Sequence, residues 1–494
     1  MDICRRDFGL CVLAGVAGRA FAQQPRPKLF VLVILEQLRS DAVESLTPQF
    51  APGGLRRLQE KGAWFPDCRH LASGFSASGI ATLATGAWPA EHGIVADSWY
   101  GRASRNIVHA SGEELLATTL AAQIAAGPRT RVFTVSMDRA HAALVAGTSD
   151  ARMFWMDDHG QFTAGDEPPD WLADYNRLAP VESSHDAEWR ALGARADAPA
   201  LRTLRFDPNK PQDFLALYKA SPFAEEAQFA FLAELIARER LGQGDTFDFV
   251  CLVAGSSALL GYETGGRSPL MQQMVLQLDR HLEGLFSKID QTPGAGAYNL
   301  ALTAAHGAPP APSEASRARM AVRGDDVAHE VQRSLESNGT GGVERFVYPF
   351  LYLDAGGSRD PEPVRLAAAR AAIRLPAVAG YYTAGGACST HDEWERRFRN
   401  SFHPTRSGDV MLSYHPEYVE DYGADRGVSY GSIYNYDACV PLFFLGPQFR
   451  AGVFESPVES VDVAPTLARA LGVAAPSSAA GRVLGQALAG TPNL

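Results

Sequence analysis

The chain has 494 residues, of which 46% are hydrophobic and 20% charged, and its net charge at pH 7 is −11. This composition excludes a disordered chain, a coiled coil and a polytopic membrane protein, and the acidic balance argues against nucleic acid as a partner. A chain of this length buries a large core without disulfide or metal cross-links, and it predicts about three domains or one large α/β core with insertions.

Residues 1–22 are typical of an export signal. A twin arginine at 5–6 precedes a short apolar run at 9–17, and an A-x-A sequence stands at 20–22. These features predict a twin-arginine signal peptide, and the apolar run is too short to cross a bilayer. An uncleaved anchor is the alternative. We therefore expect a periplasmic or secreted protein that begins near Gln23 and has no stable membrane insertion.

Near-continuous apolar runs recur along the chain, each followed by turn residues. Such runs are typical of strands buried on both faces of a sheet. The predicted strands are Leu29–Leu35, Val132–Ser136, Phe247–Ala254, Asn299–Ala304 and Val440–Leu445, and the helical stretches between them include Glu225–Leu241, Ser268–Lys288 and Pro363–Ile373. This alternation predicts a doubly wound, mostly parallel α/β sheet between helices, whose ligands bind beyond the carboxyl ends of the strands.

Two regions interrupt the strand–helix alternation and are predicted to be insertions that form a cap over the strand ends. The predicted organisation is a signal at 1–22, core segments at 23–148, 223–307 and 409–475, cap insertions at 149–222 and 308–408, and a surface tail at 476–494. Of the four cysteines beyond the signal, none lies in a C-x-x-C pair, which argues against a thiolate metal site. Cys251, in an apolar run, is predicted to be a buried free thiol.

The loops after the predicted strands carry the candidate functional residues. Glu36 ends the first strand, and His306 follows the strand at Asn299–Ala304. Ser76 precedes a helix of small residues, where the positive end of the helix dipole favours an alkoxide or a bound anion. Structural roles are the alternatives: Glu36 as a helix cap or a partner of Arg39, Ser76 as an N-cap, and His306 as a hydrogen-bonded loop histidine.

Six short motifs follow one another in a specific order. They are TG-x-x-P-x-x-HGI at 85–94, WMDDHGQF at 155–162, TAAHG at 303–307, HPTRSGDV at 403–410, YGSIYNYDACVPLFFLGP at 430–447 and VDVAPTLARALG at 461–472. Together they resemble the alkaline phosphatase superfamily, in the branch of phosphate-irrepressible alkaline phosphatases and type I phosphodiesterase/nucleotide pyrophosphatases. The resemblance covers most of residues 29–472 and implies an alkaline-phosphatase-like fold and descent from a phosphate-ester hydrolase.

The resemblance also implies a site, which is carried over position by position. Members of the family use two zinc ions and a Thr or Ser nucleophile, and Ser76 stands at the nucleophile position. Glu36 and His306 stand at two metal-ligand positions, and Asp97 stands where the family has an Asn that contacts phosphate. The remaining ligand positions are substituted, by Ala258, Tyr262, Ala305 and Tyr430.

These substitutions leave too few anionic ligands to offset the repulsion between two neighbouring divalent cations. The sequence therefore predicts no zinc, or at most one, with Glu36 and His306 as its ligands. It predicts an exported, divergent or non-catalytic family member. The alternative is a weak one-metal phosphomonoesterase or phosphodiesterase with Ser76 as nucleophile. In either case, the binding partner of this chain is expected to be a small-molecule phosphate ester or an unidentified ligand. The oligomeric state is left open.

The two substituted tyrosines lead to a geometric expectation. Tyrosine is bulkier than histidine, and buried aromatic rings gain from mutual contact. We expect the rings of Tyr262 and Tyr430 to pack together in the space of the first metal, with their hydroxyls hydrogen-bonded. Glu36, Ser76 and His306 are expected to cluster beside them.

Replacing both arginines at 5–6 by lysine should block export, because the twin-arginine route depends on that pair. Cell fractionation and mass spectrometry of the mature amino terminus test this, and wild-type protein should begin near Gln23. The Arg26→Lys variant, just beyond the cleavage site, is the control and should be exported normally. Normal export of the double-lysine variant would contradict the prediction.

Overall fold

A computed structural model describes residues 27–490, apart from residues 73, 166, 196, 312–319, 358, 391–392, 417 and 424–426. The predicted signal at 1–22 lies outside the described residues. The strands are β1 (Leu29–Gln37), β2 (Ala63–Arg69), β3 (Ser98–Gly101), β4 (Asn106–His109), β5 (Thr130–Ser136), β6 (Arg152–Met156), β7 (Phe162–Ala164), β8 (Glu188–Trp189), β9 (Arg202–Thr203), β10 (Phe247–Ala254), β11 (Tyr298–His306), β12 (Ala321–Val322), β13 (Gly342–Val347), β14 (Phe350–Asp354), β15 (Val378–Thr383), β16 (Val410–Tyr414), β17 (Val419–Glu420), β18 (Cys439–Leu445), β19 (Gly452–Val453) and β20 (Val458–Glu459).

The helices lie on the faces and at the ends of the sheets. They are α1 (Ser40–Leu46), α2 (Leu55–Lys61), α3 (Ser76–Thr85), α4 (Pro89–His92), α5 (Leu120–Ala125), α6 (Arg139–Ala146), α7 (Asp170–Leu178), α8 (Pro211–Lys219), α9 (Pro222–Arg238), α10 (Ser256–Thr264), α11 (Pro269–Ile289), α12 (Gly324–Ser337), α13 (Glu362–Ala372), α14 (Glu393–Ser401), α15 (Asn435–Ala438) and α16 (Val463–Leu471).

The central sheet has the strand order β19-β2-β18-β11-β1-β10-β5-β6-β7. Its middle strands β11, β1, β10, β5 and β6 run parallel, whereas β18 and β7 are antiparallel to their neighbours. Every residue of β1 and β11 is buried, as expected for parallel strands with helices on both faces. The predicted α/β class, with a doubly wound and mostly parallel central sheet, is confirmed.

Helix α3 carries Ser76 in its first turn and packs directly on β11. All its residues are buried, and it ends at Gly86, whose φ of 68° provides a left-handed C-cap. The close approach depends on Gly79, because a Cβ there would lie 2.1 Å from the carbonyl oxygen of Ala305. The run of small residues noted in the sequence therefore brings the serine to the end of the sheet.

A smaller antiparallel sheet, with the order β13-β14-β16-β15, forms the cap together with α12 and α13. It contacts the β3–β4 hairpin of the core through polar side chains. Tyr100 donates a hydrogen bond to Glu344 at 2.9 Å, and Arg102 forms an ion pair with Asp409, which also accepts from Arg365 at 3.0 Å. These contacts hold the cap beside the carboxyl ends of the central strands.

The domain boundaries differ from the prediction in three places. The smaller sheet extends past residue 408, because β16 in the predicted core segment 409–475 pairs with β14 and β15. Within the predicted insertion 149–222, β6 and β7 instead extend the edge of the central sheet. The predicted tail at 476–494 buries Leu484, whose N–H donates to Thr466, so its described part packs onto the core.

The described residues include no helix long and apolar enough to cross a membrane. Their cysteines, Cys68, Cys251, Cys388 and Cys439, are free thiols. Cys251 is fully buried in the central sheet, where the sequence predicted it.

Substituting Gly79 by Ala should lower the free energy of unfolding by about 1–3 kcal/mol, because the added methyl group forces α3 away from β11. The matched control is Gly284→Ala in α11, where an added Cβ meets nothing within 4 Å. That change should raise the stability by about 0.5–1 kcal/mol, because alanine has less backbone freedom to lose. Chemical denaturation measures both, and equal effects would contradict the packing argument.

Candidate functional site

The candidate site lies at the carboxyl edge of the parallel strands. Glu36 is the penultimate residue of β1, and His306 is the last residue of the neighbouring β11. Ser76 opens α3, and its Oγ lies 3.0 Å from His306 Nε2. The three residues predicted to cluster are therefore brought together, because adjacent parallel strands deliver their ends to the same edge.

The ring of His306 is held in one tautomer. Its Nδ1 lies 2.6 Å from the carbonyl oxygen of Gly307, to which it donates, so that Nε2 accepts the hydroxyl proton of Ser76. Burial lowers the pKa of His306 to about 4. The ring is therefore neutral near pH 7 and free to accept a proton from the serine.

Glu36 is paired with a histidine that the sequence did not single out as functional. His141, on α6 after β5, which lies two strands from β1 in the sheet, places its Nδ1 2.8 Å from Glu36 Oε1. Burial alone would lower the pKa of His141, but the Glu36 carboxylate beside it raises that pKa to about 9. Burial disfavours the charged form of Glu36, yet His141 lowers its pKa overall. The two side chains form a carboxylate–imidazolium pair.

Asp97 lies at the amino terminus of α3. Its Oδ1 accepts the N–H of Ala77 at 2.8 Å, and its Oδ2 accepts the hydroxyl of Tyr430 at 3.1 Å. Burial raises the pKa of Asp97 despite these donors. The same Tyr430 hydroxyl lies 3.4 Å from Ser76 Oγ. Asp97 and Tyr430 together cover the side of the serine that faces the cap.

The two tyrosines do not pack as the sequence led us to expect. Tyr430 stacks on His306, with ring centroids 4.1 Å apart and planes 15° from parallel, and it also meets Phe75 at 6.1 Å. Among the described aromatic pairs there is none between Tyr262 and Tyr430. The flat face of His306 is available because its two nitrogens bond in the ring plane, so Tyr430 takes that surface instead.

The segment before β18 is held so that Tyr430 points into the site. Gly431 has a φ of 102°, and a Cβ there would lie 2.5 Å from the Phe75 ring, so only glycine fits. Asp437, fully buried, accepts the N–H of Ser432 at 2.9 Å, and its carbonyl accepts the N–H of Gly307. The segment is thereby tied to the residue that follows His306.

A small cavity of about 150 Å³ lies between this site and the cap. Its lining includes Phe75, Asp97, Tyr262, Tyr348, Tyr422 and Tyr430. Core and cap both contribute, since Tyr348 follows β13 and Tyr422 follows β17. A larger cavity of about 800 Å³ lies elsewhere at the strand ends, where the arginines Arg39 and Arg69 form ion pairs with Asp41 and Asp67.

The side chains present do not make a zinc site of the kind that the family resemblance implies. Within the described part of the chain, no group of three or more His, Cys, Asp or Glu side chains is arranged to hold a metal ion. Ala258 and Ala305 supply no donor, and Tyr430 is committed to Asp97 and His306. Glu36 is bonded to His141. A tetrahedral zinc site needs three or four such donors around one point.

Comparison with known proteins defines the family. The model for type I phosphodiesterase / nucleotide pyrophosphatase matches residues 30–425. The chain belongs to this family. It is similar to alkaline phosphatase PafA of Elizabethkingia meningoseptica, with 25% identity over 96% of this chain and 97% of that protein. It is also similar to alkaline phosphatase PhoV of Synechococcus elongatus, with 25% identity over 93% of this chain and 92% of that protein.

Solved structures agree on the fold. The crystal structure of wild-type PafA superposes with a TM-score of 0.82 at 23% identity, covering 94% of this chain and 99% of that one. Murine ectonucleotide pyrophosphatase/phosphodiesterase 5 gives a TM-score of 0.57 at 14% identity, covering 90% and 95%. The predicted membership of the alkaline phosphatase superfamily, and with it of a phosphate-ester hydrolase superfamily, is confirmed.

Substituting His141 by Gln should lower the free energy of unfolding by about 3 kcal/mol near pH 6, because it leaves the Glu36 carboxylate without its cation. The pKa of His141 is higher in the folded chain, about 9, than the ordinary 6.5, so the pair stabilises the fold fully below pH 6.5. This contribution is lost as the pH rises from about 6.5 to 9. Denaturation of wild type and variant across that range should show the two curves converging.

The control for this experiment is His109→Gln, at an exposed position on β4. The free energy of unfolding of this variant should differ from that of wild type by the same amount at every pH. A constant gap between wild type and the His141 variant from pH 6 to 9.5 would show that the histidine is not paired as a cation.

Proposed function

We propose that this chain is an exported family member that works without the two-zinc reaction and binds a ligand at its site without hydrolysing phosphate esters. The observation that carries this proposal is the position of Asp97. Its carboxylate accepts the Ala77 N–H at the start of α3, the place where a helix amino terminus binds an anionic substrate group. The chain thus supplies its own anion beside Ser76.

The charges of the site residues also argue against hydrolysis of phosphate esters. Phosphoryl transfer needs cations that stabilise the negative charge of the transferring group. His141 is the cationic side chain next to the described site residues, and Glu36 already binds it at 2.8 Å. A phosphate dianion at Ser76 would meet the carboxylates of Asp97 and Glu36, and repulsion at such distances is strong in a medium of low dielectric.

The predicted export is compatible with a ligand-binding function. The predicted signal at 1–22 would deliver the chain to the periplasm or the exterior, where small charged solutes would reach it directly. The cavity beside Asp97 has a volume of about 150 Å³, which is room for a small molecule rather than a polymer. A solute-binding role therefore fits the location and the size of the cavity.

The hydrogen bond between Ser76 and His306 supports a second candidate, a weak phosphomonoesterase or phosphodiesterase activity with Ser76 as nucleophile. A neutral imidazole 3.0 Å from a serine hydroxyl is placed to accept its proton during attack. We place this candidate second, because Tyr430 lies 3.4 Å from the same oxygen and leaves an incoming phosphorus little room.

Wild-type mature protein should contain far less than one zinc per chain after exposure to excess zinc, and it should hydrolyse p-nitrophenyl phosphate and bis(p-nitrophenyl) phosphate at the background rate. Elemental analysis and absorbance assays measure both. The reason is the missing donor set, since even the loss of outer-sphere partners costs roughly 10–100-fold in metal affinity or activity.

The rebuilt variant Ala258→Asp, Tyr262→His, Ala305→Asp and Tyr430→His should take up zinc, which shows that the scaffold tolerates a metal centre. Two zinc ions per wild-type chain together with chelator-sensitive turnover would overturn the proposal. Slow turnover that the Ser76→Ala variant abolishes would favour the second candidate.

A further inference from the structure

The small cavity beside the site is walled by aromatic rings. Phe75 and Tyr430 lie on the core side with ring centroids 6.1 Å apart, and Tyr348 meets Phe75 edge-on at 6.1 Å. Tyr262 enters from α10, and Tyr422, whose side chain is 56% exposed, lies at the rim. Neither lysine nor arginine is among the described residues that line this space. The cavity is an aromatic cage without a cation.

The charges around the cage are negative. Asp97 lies in its wall, and the carboxylates near its tyrosines include Asp97 beside Tyr430, Asp421 near Tyr262 and Glu420 near Tyr422. In the site behind the cage, Glu36 and Asp97 are two carboxylates opposed by the single imidazolium of His141. Asp97 accepts two neutral hydrogen bonds, from the Ala77 N–H and the Tyr430 hydroxyl, so a positive charge in the cage would further offset the cost of burying its carboxylate.

The volume of the cavity and the aromatic side chains that line it restrict the kind of cation that can bind there. A cavity of roughly 150 Å³ admits a molecule of about the size of benzene, and a trimethylammonium group is no larger. Aromatic rings attract cations over their faces, and recognition of quaternary ammonium groups by rings of aromatic side chains is the best-known use of that attraction. A small ammonium ion would leave the rings unfilled, and an anion would meet Asp97.

We propose that this cage binds the methylated ammonium group of a small molecule such as choline, with Asp97 as its counter-ion and Tyr262, Tyr348, Tyr422 and Tyr430 as its wall. The inference rests on the proposed function in one respect, since a site that holds zinc would repel this ligand. The larger cavity of about 800 Å³ is not the place for it, because the charges of Arg39 and Asp41 there already pair with each other.

Calorimetric titration of the full mature chain with choline chloride tests the proposal, with 3,3-dimethylbutan-1-ol, the uncharged carbon analogue of choline, as the matched ligand. Choline should bind with one saturable site, and the alcohol should bind at least about tenfold more weakly, because it lacks the charge that the rings and Asp97 attract. Betaine, whose carboxylate would meet the acidic surroundings, should bind more weakly than choline.

Two variants locate the site. Asp97→Asn should weaken choline binding about tenfold, and Tyr422→Leu, at a largely exposed position that does not endanger folding, should weaken it several-fold. The control is Tyr436→Leu, a half-buried tyrosine that lines the larger cavity, and it should leave choline binding unchanged. A loss in the control equal to that in Tyr422→Leu would place the ligand in the larger cavity and overturn the proposal.

The zinc content of the same sample separates the two proposals. Zinc-free protein that does not distinguish choline from its carbon analogue, or that binds inorganic phosphate more tightly than choline, overturns the cage and leaves the proposed function standing. Protein that carries two zinc ions overturns the proposed function, whatever choline does.

Discussion

The ion pair between Glu36 and His141 is the interaction on which the site depends. A carboxylate at the end of a buried strand needs a positive charge beside it, because an unpaired charge in that position costs several kcal/mol. Here the charge comes from a side chain 2.8 Å away. With Glu36 satisfied in this way, the serine, the second histidine and the helix amino terminus keep their positions at the edge of the sheet with side chains supplied entirely by the chain.

Two further contacts within the chain fill the positions around Ser76 and His306. Asp97 accepts the Ala77 N–H in the first turn of α3, and the Tyr430 ring covers one face of His306. A helix amino terminus favours a bound anion, and here the Asp97 carboxylate takes that position. Carboxylates at the strand ends favour a bound cation, and here the His141 imidazolium takes that position. The family resemblance in the sequence and the charge distribution in the structure therefore lead to different functions on one scaffold.

Much of this could be predicted from local sequence patterns. The buried strands can be recognised in the sequence as continuous apolar runs. Because the carboxyl ends of parallel strands lie at one edge of a sheet, Glu36, Ser76 and His306 can also be predicted to lie together. His141 could not be found in this way, because a lone histidine on α6 has no motif and its partner is 105 residues away, two strands across the sheet. The stacking of Tyr430 depends on which faces of His306 remain free. The extent of the smaller sheet depends on pairing between strands such as β14 and β16, which are separated along the chain by two helices and another strand.

The cage wall comes from two parts of the structure that also share buried apolar residues, since Phe350, Tyr352 and Met411 of the smaller sheet belong to the main hydrophobic core. Phe75 and Asp97 belong to the core, whereas Tyr348 and Tyr422 belong to the segments around the smaller sheet. An occupant of the cage would touch both parts at once, so a local opening that separates them would first have to release the occupant, and the hydrogen exchange of β13 and β14 would become slower.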